Sequence, residues 1–200
     1  MPIEIEKKYR LTQGERRAIE QRLRGLGYKP KKLEFEENTI YRGGNLEFGK
    51  RAMRIRRVNG EAILTFKQRI PTNSPIKHQQ ENETRVSDAE ATHEILLALG
   101  FAPALIYEKR RTRWDVGKAE LVIDELPFGL FMEIEASARD IRRVEKLIDG
   151  GKLPAVNETY PSLTSNFGKK NRKGIIEARF GKARDQKSEI RSQKSGVEIA

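Results

Sequence analysis

Residues 53–67 read Met-Arg-Ile-Arg-Arg-Val-Asn-Gly-Glu-Ala-Ile-Leu-Thr-Phe-Lys, and this stretch decides the architecture. Two runs alternate apolar and polar side chains with the period of a strand. Between them Asn59-Gly60 supplies the two residues that best tolerate the positive φ angles of a type I′ turn. A two-residue turn fixes the register, so Val58 faces Glu61 and Arg54 faces Thr65. One face of the hairpin then carries Arg54, Arg56, Thr65 and Lys67, and the other Met53, Ile55, Leu64 and Phe66. The apolar face needs a helix to cover it, so the cations point away from the helices.

A second hairpin is predicted at Glu120–Glu125 and Leu130–Glu135, turning through Pro127-Phe128-Gly129, and a loop of four residues would set Asp124 opposite Glu133. It repeats the first with the opposite charge. Glu120, Asp124, Glu133 and Glu135 share one face, and Leu121, Ile123, Met132 and Ile134 the other. Further alternating strands are Glu4-x-Glu6-x-Lys8, Glu81-x-Glu83-x-Arg85 and Lys109-x-Arg111-x-Arg113. On the last of these Trp114 has the opposite parity, which assigns it to the apolar outer face as core.

Three helices are expected, each opened by a capping box: Thr12…Glu15, Ser87…Glu90 and Ser137…Asp140. Apolar residues follow at helical spacing (Ile19, Leu23, Leu26; Ile95, Leu96, Leu99; Ile141, Val144, Leu147, Ile148), and Gly27 and Gly100 end the first two. A faint internal repeat links the halves. Glu4-x-Glu6-x-Lys8, a capped helix and Leu26-Gly27-Tyr28 parallel Glu81-x-Glu83-x-Arg85, a capped helix and Leu99-Gly100-Phe101.

Taken singly, each strand reads as a half-buried antiparallel strand showing its charge to water. Taken together they do not, because the signs are sorted by strand, whereas a surface selected for solubility intersperses them. A sheet curled with its charged face inward and its helices outside would form a charged tunnel. Carboxylates are the hard ligands that Mg²⁺ or Mn²⁺ selects, and guanidinium and ammonium groups clamp phosphate oxygens. The combination suits a polyanion bridged to a divalent metal, where catalysis is mainly positioning and charge neutralisation.

At this point the residues resemble the CYTH superfamily, the triphosphate tunnel metalloenzymes. The resemblance runs through Glu4-Ile5-Glu6-Lys7-Lys8, Met53-Arg54-Ile55-Arg56-Arg57, the Lys67 strand, Lys109-x-Arg111-x-x-Trp114, Asp124, and Gly129-x-Phe131-x-Glu133-Ile134-Glu135. It implies an α+β fold, an eight-stranded antiparallel closed β-barrel with a charged interior and about three helices packed outside. It also implies a triphosphate substrate and Mg²⁺ or Mn²⁺. By this likeness Glu4, Glu6, Asp124, Glu133 and Glu135 hold metal, and Arg54, Arg56, Lys67, Lys109, Arg111 and Lys8 grip phosphates. Lys8 and Glu83 are the catalytic candidates, with Glu81 as the alternative acid of its strand. Two segments depart from the family pattern: Arg42-Gly43-Gly44-Asn45, where relatives have an acidic turn, and Asn157–Tyr160, which offers no late basic residue. They bear on substrate preference.

Lys8 also fits a general base if neighbouring cations depress its pKa, although phosphate contact is the plainer role. His78, placed in a loop over Pro71–Gln80, and His93, on a helix, read as surface residues, and Gly43-Gly44 reads as a turn. There is no cysteine, so thiolate metal sites and disulfides are excluded. The charged N-terminus and the lack of a long apolar run predict a soluble, cytoplasmic protein with no membrane partner. The 40 basic and 29 acidic residues give a net charge of +11. From Gly168 onward 10 basic residues stand against 4 acidic ones, leaving +5 for the first 167.

The chain is therefore read as one domain over residues 1–167 and a basic, disordered tail over 168–200. Nucleic acid is not expected to bind the domain, though the tail has the charge for weak contact. Oligomeric state is left open, a homodimer included. Three functions compete: metal-dependent hydrolysis of an inorganic or organic triphosphate, a class IV adenylate cyclase using the same tunnel, and a non-catalytic polyphosphate or RNA binder. The full acid set speaks against the last.

Overall fold

A computed structural model describes residues 3–71 and 76–181. Eight strands form the barrel: β1 (Ile3–Leu11), β2 (Glu34–Arg42), β3 (Arg51–Val58), β4 (Glu61–Ile70), β5 (Lys77–Val86), β6 (Ala102–Val116), β7 (Ala119–Leu126) and β8 (Gly129–Glu135). They pair antiparallel in the order β2-β3-β4-β5-β1-β8-β7-β6, and β2 meets β6 to close the ring. Closure leaves no open barrel edge. It also forces one side of every strand inward, so residue parity decides which side chains share the interior.

The β3–β4 hairpin has the register its turn dictates, with Val58 opposite Glu61 and Arg54 opposite Thr65. Asn59 and Gly60 adopt φ values of 52° and 82°. The β7–β8 hairpin differs from expectation: Asp124 faces Phe131, and Val122 faces Glu133. Its ladder continues to Leu126 and Gly129, leaving only Pro127 and Phe128 in the turn. The partner of Asp124 is thus displaced by two positions, and an even shift leaves every side chain on its expected face.

Four α-helices lie outside the barrel among the described residues: α1 (Gln13–Gly25), α2 (Ala89–Ala98), α3 (Ala138–Leu147) and α4 (Tyr160–Phe167). α1 opens with a complete capping box at Thr12 and Glu15. Its Ile19 and Leu23 pack with Ile141, Val144 and Ile148 of the α3 region over Tyr9, Leu11, Trp114, Leu121, Ile123 and Ile134. Trp114 is buried in this outer core, as its parity requires. Leu23 is fully buried, and Leu23→Ala would cost about 2–5 kcal/mol. At Ser137 the hydroxyl accepts the Asp140 amide and donates to its carboxylate. α2 starts one residue later than expected, because Asp88, not Ser87, accepts the Glu90 and Ala91 amides. Its Leu96 joins Tyr41 and Ile55 over β2 and β3.

The fourth helix was not expected. Thr159 caps it and Pro161 occupies its first turn, both favoured there. It lies across one end of the barrel, where Tyr160 and Leu163 cluster with Ile40, Leu105, Tyr107 and Phe131. β2 was likewise unanticipated. β5 begins at Lys77, so His78 belongs to a strand and not to a loop. His93 is no free surface residue: its Nδ1 lies 2.7 Å from the Tyr41 hydroxyl.

The segment after Phe167 corrects a further expectation. Lys169–Lys170 (β9) and Ile176–Ala178 (β10) form a small hairpin. β10 adds parallel to β6 at Leu105–Tyr107, alongside the part of β6 that has run past the end of β7. Ala178 is buried, and Arg179 pairs with Glu37 and Glu108. Residues 168–181 are therefore built onto the barrel, and the rest of the expected tail, 182–200, lies outside the described residues. No helix among the described residues is long and apolar enough to cross a membrane.

Candidate active site

The barrel encloses an open cavity of about 520 Å³, within the range of sites that hold a drug-sized ligand. Strand parity delivers its lining. β3 and β4 present Arg54, Arg56, Thr65 and Lys67; β5 presents Lys77, Gln79, Glu81 and Glu83; β1 presents Glu4, Glu6 and Lys8. β6, β7 and β8 add Tyr107, Lys109, Arg111, Glu120, Glu133 and Glu135. Every site residue expected from sequence lines this cavity except Asp124.

Asp124 lies behind the wall. It is fully buried, its carboxylate accepting Arg111 Nε at 2.7 Å and Nη2 at 2.5 Å, and the Tyr160 hydroxyl at 2.8 Å. Lys109 Nζ is 3.6 Å from Asp124 and 3.2 Å from Glu36, another fully buried carboxylate. Arg111 also reaches Glu133 at 2.8 Å, and Lys8 reaches Glu133 at 3.1 Å. Three cations (Lys8, Lys109, Arg111) thus face three carboxylates (Glu36, Asp124, Glu133), which is how buried charge is tolerated. Burial opposes ionisation of Glu36 and Glu133, but the cations win and hold both far below the usual carboxylate range. Burial and the adjacent Arg111 lower Lys109 to about 8.

A second group surrounds Glu4. Lys67 bonds Glu4 at 2.9 Å and Glu81 at 2.7 Å, and Gln79 donates to Glu4 at 2.6 Å. Burial disfavours the Glu4 charge, but hydrogen bonding from Glu81 and the charge of Lys67 outweigh it, leaving Glu4 at about 2. Its neighbours are affected in the opposite sense. Burial and Glu4 push Glu81 up to about 7 and Glu135 up to about 8. One carboxylate is ionised at the expense of the two that share its hydrogen bonds.

The third group is the cationic hairpin. Glu83 accepts two bonds from Arg56, at 3.0 and 3.2 Å, and one from the Thr65 hydroxyl at 3.1 Å. Arg54 bonds Thr65 at 3.3 Å and is 3.9 Å from Glu83. Burial and the proximity of Arg54 oppose the charge of Arg56. One partly exposed carboxylate therefore serves two guanidiniums.

Sequence reasoning missed Glu36, Lys77, Gln79, Tyr107 and Tyr160. Lys77 is almost fully buried, 3.4 Å from Glu6, and burial beside Lys8 lowers it to about 8. It and Lys8 both donate to the Glu158 carbonyl, at 3.3 and 3.2 Å, and the Lys8 ammonium lies 3.7 Å from the centroid of the Tyr160 ring. The Glu158–Tyr160 segment thus satisfies two interior lysines. The parity of Glu81 and Glu83, extended back four residues, would have pointed to Lys77.

Among the described residues no group of three or more His, Cys, Asp or Glu has the arrangement to hold a metal ion as it stands. The donor chemistry around Glu4 nevertheless suits one. Three carboxyls converge there and two retain protons near neutrality, the place where a hard divalent cation competes with protons.

Comparisons with known proteins agree with this geometry. A candidate adenylate cyclase of Methanocaldococcus jannaschii is 30% identical over 151 residues, 74% of this chain and 84% of that protein. The solved PH1012 protein of Pyrococcus horikoshii superposes with a TM-score of 0.70 at 22% identity, over 80% of this chain and 98% of that one. A candidate adenylyl cyclase from Hippeastrum, for which a dominant triphosphatase activity is described, gives 0.60 at 18% identity, over 82% and 95%. The profile of the CYTH domain matches residues 2–154. The chain belongs to the CYTH domain family.

Proposed function

We propose that this protein binds a triphosphate inside the barrel and, with Mg²⁺ or Mn²⁺, hydrolyses one of its phosphoanhydride bonds. One observation carries the reading: an open cavity lined by Arg54, Arg56, Lys8 and Lys77 and, around Lys67, by a carboxyl cluster that shares protons. Arginine clamps phosphate oxygens bidentately and lysine acts as a point charge. Lys109 and Arg111 also line the cavity, but the inner carboxylates already claim most of their charge, so they form the floor on which phosphate rests.

Glu4, Glu6 and Glu135 would hold the metal, with Glu81 beside Glu4, while Glu133 is taken up by Lys8 and Arg111. Asp124 serves Arg111 instead, fixing the guanidinium through two bonds. The bound ion supplies charge neutralisation on the phosphate oxygens. The chain's own residues grip and align the phosphates. Lys8, between Glu133 and the Tyr160 ring, presents its ammonium to the phosphate end. Glu83 orients Arg56, a positioning role. The burial of Glu81 and its contact with Glu4 make it the acid of β5 nearer the reaction centre. Hydrolysis forms a new P–O bond from water, breaks the P–O–P bridge, and releases a proton to solvent.

The cyclase reading draws on the name of the M. jannaschii relative. Product analysis separates the two. The protein is incubated with tripolyphosphate, ATP and thiamine triphosphate in Mg²⁺ or Mn²⁺. Release of phosphate or pyrophosphate with a shortened chain supports hydrolysis, and cyclic AMP with pyrophosphate supports the cyclase. Binding without turnover of any of them leaves a polyphosphate binder, and neither binding nor turnover overturns the proposal.

A further inference from the structure

The three helices expected from sequence meet water in different ways. α1 exposes Arg17, Gln21 and Arg24, and α3 exposes Arg139, Arg142, Arg143 and Lys146, so each sets a charged face opposite an apolar one. α2 is built otherwise. Its inner face seats Leu96 on Tyr41 and Ile55. Its outer face carries Ala91, Ile95 and Ala98 at helical spacing, with Glu94 as the one charge beside them. Leu97 and Leu99 flank that stripe, and Ile95, Leu97 and Leu99 are 58%, 38% and 68% exposed. A helix that is apolar on both faces belongs between two surfaces, and no described residue covers the outer face of this one.

The charges around the stripe say what fits it. α2 begins near the Arg57 end of β3, where Asp88, Glu90 and Glu94 stand and Glu90 meets Arg57 at 2.5 Å. It ends near the other end of β3. There Phe101, just past the helix, clusters with Leu46 and Met53, and Arg51 donates to the Asn45 carbonyl at 3.3 Å. Lys50 and Arg51 share the single carboxylate of Glu47, so this end keeps an excess of positive charge. A face that is acidic at one end and basic at the other is its own complement when two copies meet antiparallel about a two-fold axis. Ile95 lies midway along the stripe, and Ala91 and Ala98 on either side are small enough to let two helices approach closely.

We propose that the outer face of α2 docks a second copy of this chain, the two α2 helices packing antiparallel about an axis near Ile95. Each acidic helix start then faces the Lys50–Arg51 end of the other copy, and the two helix dipoles oppose one another favourably. Three large apolar side chains per copy make a small interface, so the dimer dissociates in the micromolar range.

The test is sedimentation of the full chain across the micromolar range. The unaltered protein should pass from monomer to dimer. Ile95→Glu and Leu99→Glu each bring like charges together at the contact and should weaken self-association by about 100-fold or more. Leu33→Glu alters an apolar residue of similar exposure (53%) on the connection between α1 and β2 and should leave the dimer intact. The chain has no cysteine, so a single introduced thiol reports on geometry. Under mild oxidation Ile95→Cys should give a disulfide-linked dimer, and Leu33→Cys should not. A chain that stays monomeric at every concentration, a dimer that survives both Ile95→Glu and Leu99→Glu, or one that Leu33→Glu breaks equally, overturns the inference. Each of these outcomes leaves the triphosphate reading standing, because that reading rests on the barrel interior.

Discussion

Asp124→Asn gives the sharpest test of how the interior is built, because two roles for the residue predict opposite results. As a metal ligand, Asp124 would repel its acidic neighbours in the metal-free protein, and its neutralisation would leave stability unchanged or improved. The structure gives it a different role. Its carboxylate takes Arg111 at 2.5 and 2.7 Å and Tyr160 at 2.8 Å, with Lys109 at 3.6 Å, in full burial. Lys8, Lys109 and Arg111 balance Glu36, Asp124 and Glu133. Asparagine keeps the shape and still accepts from Tyr160, but leaves one excess positive charge inside. Breaking a buried pair by removing one partner costs about 3–5 kcal/mol. Glu133 stays 2.8 Å and Glu36 3.9 Å from Arg111, so the lower end, about 3 kcal/mol, is expected. In a domain of this size that lowers the melting temperature by roughly 6–12 °C. The assay is a thermal melt and a urea titration of both proteins in chelator. A variant that melts within about 1 °C of the parent, yet loses stabilisation by Mg²⁺, would refute the counter-ion role; the 1 °C margin corresponds to well under 1 kcal/mol.

Three further outcomes are expected. Arg56→Ala removes one of two crowded guanidiniums, so the melting temperature should hold while tripolyphosphate affinity, read by calorimetry, drops by about 1.5–3 kcal/mol; an unfolded variant would make that face structural. Glu81 rises from 4.5 to about 7 and Glu135 from 4.5 to about 8 on folding. A carboxyl raised by folding costs nothing below its unfolded value, where both states are protonated, and costs progressively more as pH climbs to its folded value. Melts in chelator should therefore fall between about pH 4.5 and 8, and Glu81→Gln should flatten the curve; a pH-independent melt would contradict the shared-proton cluster. Truncation after Phe167 removes β10 and uncovers Leu105 and Tyr107. The lost burial of Ile176 and Ala178 is worth about 2 kcal/mol, or roughly 4–8 °C in a melt, and an unchanged melting temperature would show the hairpin to be dispensable.

The barrel was legible where one strand face was uniformly apolar. Met53, Ile55, Leu64 and Phe66 against Arg54, Arg56 and Lys67 left no ambiguity, and Leu121, Ile123, Met132 and Ile134 survived a register error because it was even. β2 was illegible for the complementary reason. Glu34, Glu36 and Asn38 turn inward while Glu37 and Thr39 turn outward, so both faces carry polar side chains and the alternation vanishes. The start of β5 hides in the same way, with Lys77, His78, Gln79 and Gln80 polar throughout. β10 is three residues long and exists only because β6 outruns β7, a tertiary fact with no local signal. The cap at Thr159 and the proline at position 161 were a readable start for α4, but the helix is only eight residues long.

The site shows a finer limit. Parity establishes that Glu4, Glu133 and Asp124 all face inward, and nothing in their spacing separates them. What separates them is the company each finds at its own depth. Asp124 and Glu133 meet cations and are neutralised, so their charges hold the barrel and its α4 cap together. Glu4, Glu81 and Glu135 meet one another around the single ammonium of Lys67, and two of the three are left holding protons. Charge that is already compensated contributes to the fold, and an incoming ligand gains little from it. The carboxyls that hold protons beside Glu4, and Arg56, whose charge burial and Arg54 oppose, are what a cation and a polyanion can relieve together. Such relief would appear as stabilisation of the native state by both ligands jointly beyond either alone. The division of labour is therefore between inner residues of the same chemical type, and it is drawn by cross-strand partners rather than by residue identity.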